Sequence, residues 1–205
     1  QVGQHGDGAL SCFVLAVGGA GVHAVPLGAG PLDRFFTVAL PLAAPGADLV
    51  AQYALGDALE LEPLDPPTVA APAGSGPRHL VLSDAQDAVY VMTEFSGEVL
   101  HYARDTREGT LELVGAATAY DRSKDLGHSV FGVDPLAHHY IWGADLHWGA
   151  AGAVLWASER TESTLGAVAV AEDGTVKDAE AFTVTEHQPR GFALSPDGRH
   201  LVAAG

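Results

Sequence analysis

The feature that most constrains this chain is a recurring pattern of two apolar runs joined by a short polar turn. Each turn contains Ser, Asp or Gly, residues that are typical of a tight connection between two β-strands. Three clear copies open at Pro77, Gly143 and Pro189, at spacings of 66 and 46 residues. A fainter copy opens at His23. The pattern therefore predicts a series of β-hairpins.

Two further strands follow the complete hairpins, for example at residues 98–102 and 109–113. Amphipathic helical spacing is hard to find anywhere in the chain. Four strands in each unit of about 45 residues is the period of a β-propeller blade. We therefore predict an all-β chain that forms about four blades of a β-propeller, the last of which ends after its second strand.

A β-sandwich is the alternative fold, because its strands also follow one another at short and regular spacings. The recurrence of the same turn at the same place in each unit favours the propeller. Residues 121–140 lack the pattern and account for the longer of the two spacings. We predict that they form a loop over one face.

The composition excludes several classes of protein. Hydrophobic residues make up 47% of the 205 positions, which supplies a sizeable core and excludes a disordered chain. Lys and Arg number 10 against 26 Asp and Glu, a net charge of −16, so neither a nucleic acid nor an anionic membrane is an expected partner. The single Cys12 excludes a disulfide framework and a multi-cysteine zinc site.

The ends of the sequence are typical of a piece of a longer protein. The chain has no initiator Met, and it stops within the apolar run at residues 201–205. We therefore expect residues 1–205 to form a single propeller segment that is incomplete at both ends. The apolar run at residues 10–17 is shorter than the ~20 residues that span a bilayer, and it lacks the basic start of a signal peptide. We interpret it as a strand.

Five segments of the sequence resemble one known family. Each contains a charged residue near a predicted strand end, and they are residues 74–79, 90–94, 144–147, 157–161 and 185–192. In order and spacing they resemble the lactonase family of seven-bladed β-propellers, which includes bacterial 6-phosphogluconolactonases. The resemblance extends from about His23 to the end of the chain. It implies a seven-bladed ring, which four blades cannot close.

The resemblance also implies a set of site residues. In the related fungal propeller that cyclises carboxymuconate, a His, two Arg and a Glu surround the central channel. Matched motif to motif, they correspond to His23, Arg78, Glu94 and Arg160. The sequence departs from the family pattern at Thr93, where the family has Asn, and over residues 28–45.

The same residues fit an active site without the resemblance. Innermost strands of a propeller line its channel, so residues at equivalent positions of different blades converge there. Glu94 and Arg160 both follow a second strand, 66 residues apart. A water that attacks a lactone needs a base, for which Glu94 is the first candidate and His23 the second. With Arg160 to stabilise an oxyanion or a substrate anion, these three are the predicted catalytic residues.

Four further residues are predicted to bind the substrate. They belong to the same segments, and they are Arg78, His79, Arg190 and His147. Three of them have a structural alternative. The two histidines are alternatively hydrogen-bonded strand residues, and Arg190 alternatively donates to carbonyl groups of its own turn.

Structural alternatives also remain for the other charged residues. Arg78 and Glu94 are alternatively an ion pair that ties two strands together. Arg160 alternatively forms a solvated pair with its neighbour Glu159.

No metal or cofactor is expected. His138 and His139 have no further ligand at helical spacing and are interpreted as part of a surface loop. Residues 127–131 resemble a nucleophile elbow but have Phe131 where its last Gly belongs. Residues 74–77 lack the third Gly of a dinucleotide-binding turn.

Together with the resemblance, these observations predict a cytoplasmic lactonase that opens 6-phosphoglucono-δ-lactone by general-base catalysis. The expected partner is a small anionic sugar lactone. A carboxymuconate-type cycloisomerase is the alternative enzyme, with the same residues acting on a dicarboxylate. A non-catalytic binding propeller is the alternative from another class, although it has no need of Glu94 and Arg160 at one equivalent position. The sequence indicates no oligomeric state.

Overall fold

The computed structural model describes residues 12–18, 21–27, 35–36, 48–55, 60–149 and 152–205. Its strands in chain order are β1 (Cys12–Gly18), β2 (Gly21–Leu27), β3 (Phe35–Phe36), β4 (Leu49–Leu55), β5 (Leu61–Ala70), β6 (Pro77–Leu82), β7 (Ala88–Thr93), β8 (Glu98–Arg104), β9 (Leu111–Thr118), β10 (Gly143–Trp148), β11 (Val154–Glu159), β12 (Thr164–Val170), β13 (Val176–Val184), β14 (Gly191–Leu194) and β15 (Leu201–Ala204). Within these ranges the helical segments are a 3-10 turn, Arg122–Lys124, and the short helix α1, Pro135–His138. A helix with the length and apolar character of a bilayer crossing is absent from them.

The strands pair with their neighbours in the chain. Strands β6 to β9 form one four-stranded antiparallel sheet, and β10 to β13 form a second. β14 pairs with β15, β1 pairs with β2, and β3, β4 and β5 form a three-stranded sheet. The two four-stranded sheets correspond to the first two clear copies of the sequence pattern, and the β14–β15 hairpin corresponds to the third.

The first strands of successive sheets lie side by side. β1 contacts β6, β6 contacts β10, and β10 contacts β14. This is the arrangement of a propeller, in which each sheet contributes its first strand to a common axis. Equivalent residues of the two complete sheets meet across the boundary: Trp148 Nε1 donates to the Leu82 carbonyl at 2.5 Å, over a separation of 66 residues.

The fourth, fainter copy of the pattern is placed differently from the prediction. His23 lies in β2, which pairs with β1, and β1 is the strand that contacts β6. The prediction that a hairpin opens at His23 is therefore wrong, because this residue is on the second strand. The hairpin begins one strand earlier than predicted, because the apolar run at residues 10–17, which we interpreted as a separate strand, supplies its first strand. The side chain of His23 lies outside the described residues.

Strand β7 is buried on both faces, which explains its unbroken apolar sequence. Val89 and Val91 face the preceding sheet, in a cluster that extends to β4. Tyr90 and Met92 face the following sheet, in a second cluster with residues of β10, β11 and β12. Because a blade is covered by both of its neighbours, its middle strands do not alternate between apolar and polar residues.

Residues 121–140 form a connection without sheet structure, as the missing pattern predicts. Its two sides are joined by hydrogen bonds from Gly127 N to the His139 carbonyl at 3.1 Å and from Ile141 N to the Gly127 carbonyl at 2.8 Å. Ser129 N donates to the Phe95 carbonyl at 3.1 Å. The loop therefore lies at the end of the sheets where Glu94, the neighbour of Phe95, is found.

Gly143 opens β10 where this strand passes the end of β7, and a side chain there has no space. A Cβ atom would lie 2.6 Å from Met92 Cε and closer still to the carbonyl oxygen of Thr93. We expect Gly143→Ala to lower the free energy of unfolding by about 1–3 kcal/mol, the usual cost of overpacking.

Gly115→Ala in β9 is the matched control, because its Cβ would meet only His101 Cβ, at 4.0 Å. Urea denaturation of both variants measures the difference. Equal stability of the two would contradict the tight contact between β7 and β10.

Candidate active site

Glu94 and Arg160 occupy one position in two successive sheets. Each follows a second strand, and each backbone N–H donates to the residue that precedes the first strand of its own sheet. Glu94 N donates to the Gly76 carbonyl at 2.7 Å, and Arg160 N donates to the Trp142 carbonyl at 3.0 Å. Glu94 and Arg160, 66 residues apart in the sequence, therefore occupy structurally equivalent positions in the two sheets.

The two side chains meet across the boundary between the sheets. Arg160 Nη2 donates to Glu94 Oε1 at 2.7 Å, and Arg78 Nε lies 3.6 Å from Glu94 Oε2. Trp142 Nε1 donates to the same Oε1 at 3.1 Å, and its ring lies under the guanidinium of Arg160, 3.8 Å from Cζ. The side chains of Arg78 and Arg160 are 7% and 5% exposed, and that of Glu94 is 26% exposed. One carboxylate is therefore shared by two buried guanidinium groups.

Glu159 does not pair with Arg160, so that alternative is wrong. Glu159 is 1% exposed, and its carboxylate accepts hydrogen bonds from the backbone N–H groups of Trp142 at 2.8 Å, Thr161 at 3.1 Å and Glu162 at 2.7 Å. Burial raises the pKa of Glu159 above its usual value, although the three backbone donors oppose that rise. Glu159 thus fixes the turn that carries Arg160, a role that the sequence analysis missed.

Burial also acts on the arginines. Loss of solvation lowers the pKa of Arg78 and lowers that of Arg160 to about 10, while the charge of Glu94 raises both. The positive charge of Arg190 lowers both pKa values, so this residue lies near the pair. Arg190 is exposed, and within the described ranges no carboxylate lies in ion-pairing distance of it. Its side chain makes no hydrogen bond to a carbonyl of its turn in those ranges.

Asp145 joins the two predicted histidines. Its Oδ1 lies 2.6 Å from His79 Nδ1 and accepts from Leu146 N at 3.0 Å, and its Oδ2 lies 3.1 Å from His147 Nε2 and accepts from Phe192 N at 3.0 Å. Burial alone would raise the pKa of Asp145, but the bonds to the two histidines outweigh it and hold this pKa well below its usual range. The alternative of hydrogen-bonded strand histidines is therefore present in the structure.

The structure thus brings most of the predicted residues to one end of the inner strands. Arg78, Glu94 and Arg160 contact one another, Arg190 lies near them, and Asp145 links the histidines of β6 and β10. Asp145 itself was not among the predicted site residues, although a carboxylate inside the apolar strand β10 is a signal for one. Arg78 links the cluster around Glu94 to the cluster around Asp145, because its guanidinium also donates to the carbonyl of Ala144, the residue before Asp145.

Two other features of the described residues lie apart from this site. A cavity of about 860 Å³ opens at the opposite ends of the inner strands, among the turn at residues 83–88 and the turn at residues 171–176, and holds none of the predicted site residues. No three His, Cys, Asp or Glu side chains of the described ranges are grouped so as to hold a metal ion.

Comparison with known proteins identifies the family. A family model described as lactonase, 7-bladed beta-propeller, matches residues 36–205. The chain belongs to this family. The predicted fold class, a β-propeller of the seven-bladed family, is thereby confirmed.

Relatives of this lactonase-family chain carry related names. The curated 6-phosphogluconolactonases of Cronobacter sakazakii and Sodalis glossinidius are 32% and 34% identical to it over 158 residues, which are 77% of this chain and 44% of each relative. The chain thus spans less than half the length of the curated relatives it matches.

Solved structures show the same fold. The periplasmic gluconolactonase of Pseudomonas aeruginosa superimposes with a TM-score of 0.65 at 27% identity, over 85% of this chain and 44% of that one. A protein from Lactobacillus plantarum superimposes with a TM-score of 0.63 at 23% identity, over 89% of this chain and 44% of that one, and shows the fold alone.

We expect Asp145→Asn to destabilise the protein by about 2 kcal/mol or more at neutral pH, because an amide cannot accept from all four donors. The ordinary pKa of Asp is 3.8, and in the folded protein it is lower. The carboxylate's stabilisation is therefore fully present above about pH 4 and is lost as the pH falls below that value.

The measurement is the free energy of unfolding of wild type and variant between pH 7 and pH 3. Asp84→Asn, on an exposed turn, is the control and should match the wild type throughout. A difference between wild type and Asp145→Asn that does not shrink in acid would contradict this assignment.

Proposed function

We propose that the protein is a lactonase that hydrolyses 6-phosphoglucono-δ-lactone to 6-phosphogluconate without a metal. The observation that carries the proposal is the Glu94 carboxylate held between the buried guanidinium groups of Arg78 and Arg160. The names of the curated relatives support the reaction, and the periplasmic gluconolactonase supports a sugar lactone more generally. A cytoplasmic location is part of the proposal.

In this mechanism Glu94 is the general base. Its Oε1 is occupied by Arg160 and Trp142, whereas its Oε2 is 3.6 Å from Arg78 Nε, beyond ordinary hydrogen-bond distance. Oε2 therefore keeps the capacity to accept a proton from a water molecule. Because Glu94 is partly exposed while its arginine partners are buried, the carboxylate is the member of the group that solvent reaches.

The arginines stabilise negative charge. Attack of water on the lactone carbonyl produces an oxyanion, and a guanidinium in a water-poor site stabilises such a charge strongly. Arg160 and Arg78 are buried and pre-oriented by carbonyl and carboxylate partners, so they need little reorganisation. Arg190 is exposed and has no carboxylate partner in the described ranges, which suits a contact with the phosphate of the substrate. His79 and His147, both on channel strands, complete the proposed substrate contacts.

Hydrolysis of 6-phosphoglucono-δ-lactone by the full-length protein tests the proposal directly. We expect turnover well above the spontaneous rate, with kcat lowered about 10²–10³-fold in Arg160→Ala and about 10²–10⁴-fold in Glu94→Gln. Arg122→Ala is the control, because Arg122 pairs with Asp178 on an outer strand and is 66% exposed.

Turnover that persists in both site variants would keep the activity and overturn the residue assignments. A folded protein without turnover would overturn the lactonase proposal in favour of a cycloisomerase or a binding role.

The phosphate assignment of Arg190 has its own test. We expect Arg190→Ala to raise the KM for 6-phosphoglucono-δ-lactone about tenfold or more with little change in kcat, because it removes a charge contact made throughout the reaction. The KM for unphosphorylated glucono-δ-lactone should not change. Steady-state kinetics of wild type and Arg190→Ala with the two lactones measures this difference. An equal rise in KM for both lactones would exclude a phosphate contact.

A further inference from the structure

Opening a lactone requires an acid as well as a base. The bond between the carbonyl carbon and the ring oxygen breaks, and the oxygen leaves as an alkoxide unless it receives a proton. The arginines of the site are already engaged, Arg160 with Glu94 and Arg78 with the Ala144 carbonyl, and even with their lowered pKa values both stay protonated at neutral pH, so we assign them to charge stabilisation and not to proton transfer. Glu94 is assigned as the base. The proposed function therefore leaves one catalytic role open.

The hydrogen bonds of Asp145 restrict the protonation of the histidines. A carboxylate has about four acceptor positions, and all four on Asp145 are used, two by backbone N–H groups and two by ring nitrogens. Because an ionised carboxylate only accepts, His79 Nδ1 and His147 Nε2 must each carry hydrogen. For His147, the ring nitrogen that exchanges a proton is then Nδ1.

His147 is the better placed of the two rings to reach a substrate. Its side chain is 34% exposed, against 15% for His79. The ring of Phe192 packs against it in a T-shaped arrangement, with ring centroids 4.7 Å apart, and fixes its orientation together with Asp145. In the described ranges no residue forms a hydrogen bond with His147 Nδ1. An ionised Asp bonded to the opposite nitrogen stabilises the imidazolium that proton transfer requires.

Arg78 connects this ring to the proposed base. Its guanidinium lies beside Glu94 and donates to the carbonyl of Ala144, the residue before Asp145. The charges of Glu94 and Asp145 both act on Arg78. Arg78 therefore lies beside the proposed base and near Asp145, the carboxylate that holds His147.

We propose that His147 is the general acid of the reaction and that Asp145 is its positioning residue. The inference rests on the proposed lactonase function. Water gives one proton to Glu94 as its oxygen bonds to the carbonyl carbon. The bond from that carbon to the ring oxygen then breaks, its electron pair stays on the oxygen, and the imidazolium gives its Nδ1 proton to that oxygen. Return of the proton from Glu94 to the imidazole through water restores both groups.

A sulfur analogue of the substrate separates acid catalysis from a structural role. A thiolate leaves without protonation, because thiols have a pKa near 8.5, far below that of a sugar hydroxyl. We expect His147→Gln to lower kcat about 10²–10³-fold on the oxygen lactone and less than about fivefold on the lactone with sulfur in the ring. Gln keeps a donor for Asp145, so the local hydrogen bond survives.

The pH profile gives a second readout. We expect the pH profiles of kcat for wild type and His147→Gln to differ in shape on the oxygen lactone and to coincide on the lactone with sulfur in the ring. Asp145→Asn, like His147→Gln, should lower kcat on the oxygen lactone more than kcat on the sulfur lactone. This second variant keeps the test informative if His147→Gln does not fold. His200→Gln is the control, because His200 is exposed and lies just before β15, at the end of that strand away from the site.

Equal losses on the two lactones, or no loss on either, would overturn the inference while the lactonase function stands. A wild type that hydrolyses neither lactone would overturn the proposed function, and with it this role of His147.

Discussion

The salt bridge between Glu94 and Arg160 is the interaction around which the site is built. It crosses from the end of one sheet to the end of the next, and the same boundary is closed by the hydrogen bond from Gly143 N to the Glu94 carbonyl at 2.9 Å. Glu94 is thus held through its backbone by both sheets and through its side chain by Arg160. Trp142 completes the enclosure, since it binds the carboxylate with its indole N–H and the guanidinium with its ring.

Burying these charged side chains has an unfavourable desolvation free energy, which their mutual attraction must offset. Burial disfavours a charged guanidinium, as the lowered pKa values of Arg78 and Arg160 indicate, and one carboxylate offsets that cost for two cations only in part. Asp145 adds a second negative charge near Arg78, so the buried guanidinium groups depend on carboxylates from both sheets. The same argument explains why the carboxylates of Glu159 and Asp145 are not solvated but are bound by N–H groups of neighbouring strands.

The sequence predicted the parts of this structure that depend on local chemistry. Short turns between apolar runs predicted three hairpins, two with Ser and Asp in the turn and one with Gly149 and Gly152, whereas the hairpin across Gly19 and Ala20 was misplaced by one strand. Equal spacing also predicted that Glu94 and Arg160 are equivalent. Contacts between distant segments were beyond the sequence. Glu159 and Arg160 are adjacent in the chain, yet their side chains have different partners. The partners of Asp145 include His79 and Phe192, 66 and 47 residues away.

Several contacts between the two complete sheets join residues that are 66 positions apart: Arg78 with Ala144, His79 with Asp145, Leu82 with Trp148, and Glu94 with Arg160. Each residue thus touches its own counterpart in the next copy of the repeat. In a chain of identical copies every such contact would be a self-pair, and Glu would face Glu, with repulsion in place of attraction. Charge complementarity at this boundary therefore exists only because the copies have diverged from one another. The site therefore forms only where two blades with different residues at equivalent positions meet, and neither blade contains it alone.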